Sequence, residues 1–302
     1  MQSCFVTVPE EFSFKECCTF LNRSPLECLH TVSHNRIRKL IKTSDRNLLI
    51  EISSNQNLKN KLKIKFLNCK VTLREVQSVK KFINEWFDLN TDLKPFYKFA
   101  KKDKLLREIV KKYYGLRLIG IPDIFEAISW AIIGQQINLS FAFKMKRNFV
   151  EKFGEKFSFE NKTYFLYPKP EIVSKLKVSD LLKLQFSRQK AEYVIEAAKT
   201  LTDFEISEAY KKNLTGLPLI EAKEILCKIR GVGNWTANYA LMKCLRNPDA
   251  FPIEDVGLHN AIKNILGLDS KPSVENIRKL SAKWKGWYSY SVFYLWRSLL
   301  PD

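Results

Sequence analysis

The apolar positions of this chain have one texture within residues 1–90 and another beyond them. Within residues 1–90, three short β-rich runs partly alternate apolar with polar side chains: Cys4-Phe5-Val6-Thr7-Val8, Leu48-Leu49-Ile50-Glu51-Ile52 and Leu62-Lys63-Ile64-Lys65-Phe66. Such runs suit strands with one wet face. Phe14 to Leu21 and Leu73 to Phe87 have helical spacing instead, and Val76, Val79, Ile83 and Trp86 share one face of the second. Strands with two helices on one side make a small α+β layer.

From about residue 122 the pattern reads almost wholly helical. Pro122 and Asp123 open a helix with Ile124, Ile128, Ala131, Ile132 and Gln135 along one side. Ser187 is placed to cap a helix reaching Leu201. Leu219, Ala222, Leu226 and Ile229 recur behind Pro218, and Trp235, Tyr239 and Met242 repeat the spacing in the next helix. A loop over 247–249, a helix with Leu258 and Ile262, and a last helix from Tyr290 to Leu299 complete the chain. The expected fold class is therefore α+β. A small amino-terminal antiparallel sheet with helices (1–112) precedes an all-α helical domain (113–302), with a helix–hairpin–helix near 218–246. The first domain reads as structural support without an activity of its own.

The hairpin carries the first chemical signal. In Arg230-Gly231-Val232-Gly233-Asn234, glycine lets the backbone take positive φ and leaves N–H groups uncovered. N–H groups exposed at a helix start form an anion site, and phosphate is the usual anion. A dinucleotide fingerprint would need a preceding strand and a third glycine, but position 236 is Thr. Taken alone, the turn is equally an ordinary corner between helices.

Charge sharpens the reading. Fifty-one Lys and Arg against 32 Asp and Glu leave a formal charge of +19 over 302 residues, which favours polyanionic partners. No apolar run approaches a membrane span, and Met1-Gln2-Ser3-Cys4-Phe5 lacks the basic-then-apolar order of a leader, so a cytoplasmic, DNA-directed protein is expected, nucleoid-associated if bacterial. Lys101, Lys102, Lys104, Lys111 and Lys112 in the basic 94–117 bridge read as a solvated face. The seven cysteines form no Cys-x-x-Cys ladder and are expected to be reduced thiols, and three scattered histidines make no metal site.

Ile229-Arg230-Gly231-Val232-Gly233-Asn234-Trp235-Thr236-Ala237-Asn238-Tyr239, followed by Phe251-Pro252-Ile253-Glu254-Asp255, resembles the helix–hairpin–helix DNA glycosylase superfamily, and within it the 3-methyladenine DNA glycosylase II branch. The resemblance extends to Phe125-Glu126-Ala127 through Gln136, and to Trp284-Lys285-Gly286-Trp287 through Trp296, in the family's order. It implies removal of alkylated purines of the 3-methyladenine and 7-methylguanine type from duplex DNA as the first step of base excision repair. It also implies a catalytic role for Asp255, whose bland alternative is a helix N-cap. A carboxylate there would stabilise positive charge on the deoxyribose and orient or deprotonate water. Trp235, Tyr239 and Trp296 match the family's base pocket, where electron-rich rings suit a cationic alkylated base; their alternative is ordinary core. Gly231 and Gly233 fall on the phosphate-binding hairpin, where a monovalent cation bridging backbone carbonyls to phosphate is implied.

Gln136 aligns with the side chain that fills the vacated stack once the target base is extruded. Whether Gln136 or Ile137 enters is open at this stage. Lyase-competent relatives place a nucleophilic lysine where this chain has Trp235, and Lys243 does not align with it, so a monofunctional, water-using enzyme is expected. Relatives with an iron–sulfur cluster place four cysteines near the carboxyl end. No cysteine follows Cys244, so no cluster is expected, nor any other cofactor. The expected state is a monomer on damaged duplex DNA. The rivals are an oxidised-purine glycosylase and a non-catalytic damage-binding protein. His259, four residues past Asp255, has no assigned part.

Overall fold

Five strands, β1 (Ser3–Thr7), β2 (His30–Ser33), β3 (Arg36–Lys42), β4 (Asn47–Ser54) and β5 (Lys61–Phe66), form one antiparallel sheet in the order β1-β5-β4-β3-β2. The structure is a computed structural model describing residues 2–44, 46–54, 60–202 and 204–301. Leu48, Ile50 and Ile52 of β4 point into a core shared with Val79 and Ile83 of the Leu73–Trp86 helix and Phe14 of the Phe14–Leu21 helix. Thr72 and Glu75 close a capping box on the longer helix, fixing where it starts. Strands β2 and β3 have no counterpart among the expected runs. Arg36-Ile37-Arg38-Lys39-Leu40-Ile41-Lys42 is too rich in cations to read as a strand, yet His34 and Asn35, both at positive φ, make the two-residue turn that pairs it with β2.

The carboxyl-terminal part is helical except for one two-stranded sheet, which departs from the expected all-α domain. Strands β6 (Lys156–Phe159) and β7 (Lys162–Phe165) pair through Glu160 and Asn161, again both at positive φ. This hairpin covers the outer face of the first sheet. Tyr164 packs on Leu40 and Leu49, and Arg38 bridges Glu51 (2.9 Å) to Glu160 (3.0 Å). The face expected to be wet is thus partly dry, because a distant segment supplies its cover.

A continuous core runs from Val6 to Leu295. Across it, Tyr290 donates to Asp88 (2.5 Å), Arg117 donates to the Thr91 carbonyl (2.6 Å), and Lys146 pairs with Glu27 (2.9 Å). Buried charges placed this way must be partnered or they cost several kcal/mol each. Lys101, Lys102, Lys104, Lys111 and Lys112 of the 94–117 bridge are exposed, and Phe96, Leu106 and Ile109 bury the other side of its two short helices. Among the described residues no helix is long and apolar enough to cross a membrane.

Candidate active site

Two helices and the turn between them set the site. The Leu219–Cys227 helix buries Ala222 and Leu226, and the Asn234–Lys243 helix buries nearly its whole length. Gly231 sits at φ +91, and a β-carbon there would lie 2.1 Å from the Tyr193 ring, so the position is closed to other residues twice over. Gly233 is different from expectation. Its backbone is extended (φ −91, ψ −175), and a β-carbon would meet nothing within 4 Å. Its glycine is explained by open space at the helix start, not by positive φ. No side chain caps this helix, so its first N–H groups keep no side-chain partner.

The Ile124–Gly134 helix brings its carboxyl end to the same turn. Gln135 Nε2 donates to the Gly231 carbonyl (3.1 Å) and to Thr236 Oγ1 (2.9 Å), tying the two motifs together. Gln136 follows in the left-handed region (φ +56) with its side chain exposed, while Ile137 packs against the core. Strained backbone of this kind persists where surroundings over-determine it.

Asp255 lies half-buried at the N-cap of the Val256–Leu266 helix. It does cap: Oδ1 accepts the Leu258 N–H at 2.8 Å. It also does more. Trp296 Nε1 donates to Oδ1 at 2.7 Å, and Trp235 Nε1 donates to Oδ2 at 3.1 Å. Roughly four lone-pair sites belong to a carboxylate, so an acceptor direction on Oδ2 stays open. Tyr239 lies between the indoles, its ring centroid 5.6 Å from Trp235 and 6.0 Å from Trp296. A flat base sandwiched between two rings needs about 7–8 Å, so none fits between Tyr239 and either indole. Burial holds the Tyr239 phenol well above its ordinary range, and its oxygen accepts from Trp130 Nε1 at 2.9 Å. The four residues Trp235, Tyr239, Trp296 and Asp255 therefore meet in one place.

The loop into Asp255 is fastened by residues that spacing alone does not single out. Asn238 Oδ1 accepts from Phe251 N (3.0 Å), Ser289 Oγ donates to the carbonyls of Asn247 (2.6 Å) and Ala250 (3.0 Å), and Phe251 stacks on Tyr288. Asn234 Nδ2 donates to Glu254 (2.6 Å), so the adjacent acid is spent on the turn. His259 Nε2 pairs with the Ile253 carbonyl at 2.9 Å, which gives it a part in loop geometry. Lys243 is buried between Phe20 and Phe293, donates to the Ile119 carbonyl, and is held well below its ordinary range by burial. Eight residues past Trp235, it lies about 12 Å along the helix from the position of the lyase lysine. Among the described residues no three His, Cys, Asp or Glu side chains are grouped to hold a metal.

A family model of HhH-GPD superfamily base excision DNA repair proteins matches residues 129–286, which hold the hairpin glycines, Trp235, Tyr239 and Asp255 and stop short of Trp296. The chain belongs to that superfamily. Within it, the chain is 41% identical over 296 residues to the DNA-3-methyladenine glycosylase of Bacillus subtilis, covering 97% of this chain and 96% of the relative. The likeness to known proteins extends to the amino-terminal sheet. A model of the 8-oxoguanine DNA glycosylase N-terminal domain matches residues 12–128. The 3-methyladenine DNA glycosylase from Archaeoglobus fulgidus superposes with a TM-score of 0.82 at 24% identity over 97% of both chains. The Clostridium acetobutylicum 8-oxoguanine glycosylase/lyase in complex with double-stranded DNA superposes with a TM-score of 0.73 at 20% identity, over 96% of this chain and 92% of that one. These two likenesses show a common fold.

Proposed function

We propose that this protein hydrolyses the N-glycosidic bond of alkylated purines, of the 3-methyladenine and 7-methylguanine type, in duplex DNA. The observation that carries the reading is the Asp255 carboxylate held by both indole N–H groups of its own aromatic wall. The rings attract a base made cationic by alkylation, and that same charge makes the base a good leaving group without a protein acid. Asp255 meets the positive charge that grows on the sugar and presents its open Oδ2 direction to water. The likeness to the Bacillus relative supports the substrate class.

Duplex DNA is bound through its backbone at the hairpin. The uncapped N–H groups from Asn234 onward take one phosphate, and the approach over Gly233 is unobstructed. The Gly231 carbonyl keeps a second lone pair beside its bond from Gln135, which a monovalent cation bridging to phosphate would use. Of the two candidates for filling the vacated stack, Gln136 is the exposed one at the tip, so we assign it that role.

The match of residues 12–128 to an 8-oxoguanine glycosylase domain favours a second reading, an oxidised-purine glycosylase. That domain fold is shared with the Archaeoglobus 3-methyladenine enzyme, so it does not select between substrates. Trp235 weighs against a lyase, since an indole cannot form a Schiff base. A substrate panel decides. Purified protein is expected to release 3-methyladenine and 7-methylguanine from methylated duplex, leave 8-oxoguanine in place, and give no borohydride-trapped adduct on abasic DNA. Release of 8-oxoguanine, or a trapped adduct, contradicts the proposal.

A further inference from the structure

Gly257 is the second residue of the Val256–Leu266 helix, two positions past Asp255. Its backbone is not in the left-handed region, so nothing about φ demands glycine. Helix propensity argues the other way, because alanine in a helical turn is favoured over glycine. What the position lacks is room. A β-carbon there would lie 2.9 Å from Asp255 Oδ1, 3.2 Å from Trp296 Cδ1 and 3.3 Å from Trp296 Nε1. The first distance is closer than real β-carbons approach an atom, and the other two are tight.

All three atoms belong to one hydrogen-bonded unit. Oδ1 accepts from Trp296 Nε1 (2.7 Å) and Leu258 N (2.8 Å), and those bonds fix the plane of the carboxylate. Backbone cannot yield cheaply here, but the tip of Asp255 can turn. A methyl group at 257 would therefore be accommodated by rotating the carboxylate or lifting the indole, and either movement opens the Trp296–Asp255 bond. The nearby Leu258 is fully buried and anchors the helix, so the helix itself does not shift.

We propose that Gly257 is a positioning residue: its bare Cα leaves the space in which Trp296 clamps Oδ1, aiming the open Oδ2 direction at the reacting sugar and water. Trp296 then has two tasks, as a wall for the base through its ring and as a clamp on the carboxylate through its N–H. This inference rests on the reading of Asp255 as the catalytic group. It adds that helix stability has been given up at 257 to hold the geometry, as happens where stability and activity compete.

The test combines kinetics with a signal independent of activity. Gly257→Ala, Trp296→Phe and the double variant are compared with wild type in single-turnover and steady-state base release, thermal melting, abasic-DNA binding, and indole N–H spectra of 15N-tryptophan protein. Six tryptophans give six indole signals, and Trp296→Phe assigns its own. Gly257→Ala is expected to stay folded and melt within a few degrees of wild type, bind abasic DNA as well, shift the Trp296 indole signal, and lower kcat by about tenfold to a hundredfold with KM unchanged. The double variant should lose less than the product of the two single losses, because both break one bond. An unmoved Trp296 signal with full kcat overturns the proposal, as do losses that multiply. Should wild type itself release no base, the assigned reaction fails, and the clamp then stands or falls on whether Gly257→Ala moves the Trp296 signal.

Discussion

Trp235 Nε1 donates to Asp255 Oδ2 across 3.1 Å, joining the first turn of one helix to the N-cap of another twenty residues on. Position 235 is where lyase-competent members of the superfamily need a lysine. Here the side chain can bond the carboxylate but cannot attack the sugar. Trp235→Phe keeps a ring in the wall and removes the donor. We expect kcat for base release to fall about tenfold, the worth of one hydrogen bond to a charged group, with abasic-DNA binding little changed. Unaltered kcat would show that the indole N–H has no part in holding Asp255.

The two hairpin glycines should respond differently to alanine. Gly231→Ala must adopt positive φ and drive a methyl group into Tyr193, so a stability loss of about 2–4 kcal/mol is expected. Gly233→Ala meets open space and should change stability by less than about 0.5 kcal/mol. A methyl group there fills space beside the helix start proposed to take the phosphate, so DNA affinity is expected to fall instead. Denaturant melts and DNA titrations of both variants check the contrast, and equal stability losses would contradict it.

Gln136 is exposed and at φ +56, whereas Ile137 is packed. Gln136→Ala should keep the melting temperature within a degree or two yet slow base release, because nothing else fills the emptied stack. A fluorescent base analogue opposite the target site would report reduced unstacking. If Ile137→Ala gives that result and Gln136→Ala does not, the assignment is reversed.

His30 predicts a pH dependence of stability. It is 8% exposed, and burial pushes its imidazole from an ordinary 6.5 down to about 4. Between those values the unfolded chain binds a proton that the folded protein refuses. The contribution is therefore complete above pH 6.5 and is lost as pH falls toward 4, with a slope of up to about 1.4 kcal/mol per pH unit. Glu75, held down at about 2 chiefly by its bonds from Arg46, acts in the same direction below pH 4.5. Melting curves from pH 7 to 4 should fall more steeply for wild type than for His30→Phe. Parallel curves would exclude His30 as the cause.

Much of this was legible in the sequence because local chemistry and periodicity agreed there. The alternation of Leu62 to Phe66 and the one-sided face of Val76, Val79, Ile83 and Trp86 both became the elements they predict. Positions 235, 239 and 296 could be named from the superfamily pattern, and the chain brings them to Asp255. What stayed hidden depends on contacts between distant segments. Strand β3 looks charged until Glu51 and Glu160 are placed beside Arg38. Asn238 and Ser289 look like ordinary polar residues until the 247–255 loop lies over them. Gly257 carries no turn signal at all, and only the packing of Trp296 explains it.

The role of Asp255 is decided by release of free bases from methylated duplex by wild type and Asp255→Asn side by side, with abasic-DNA binding measured for both. Wild type is expected to release 3-methyladenine, the variant to lose at least about 10²-fold, and both to keep binding. Equal release by the two proteins, or binding without release by either, would contradict that role.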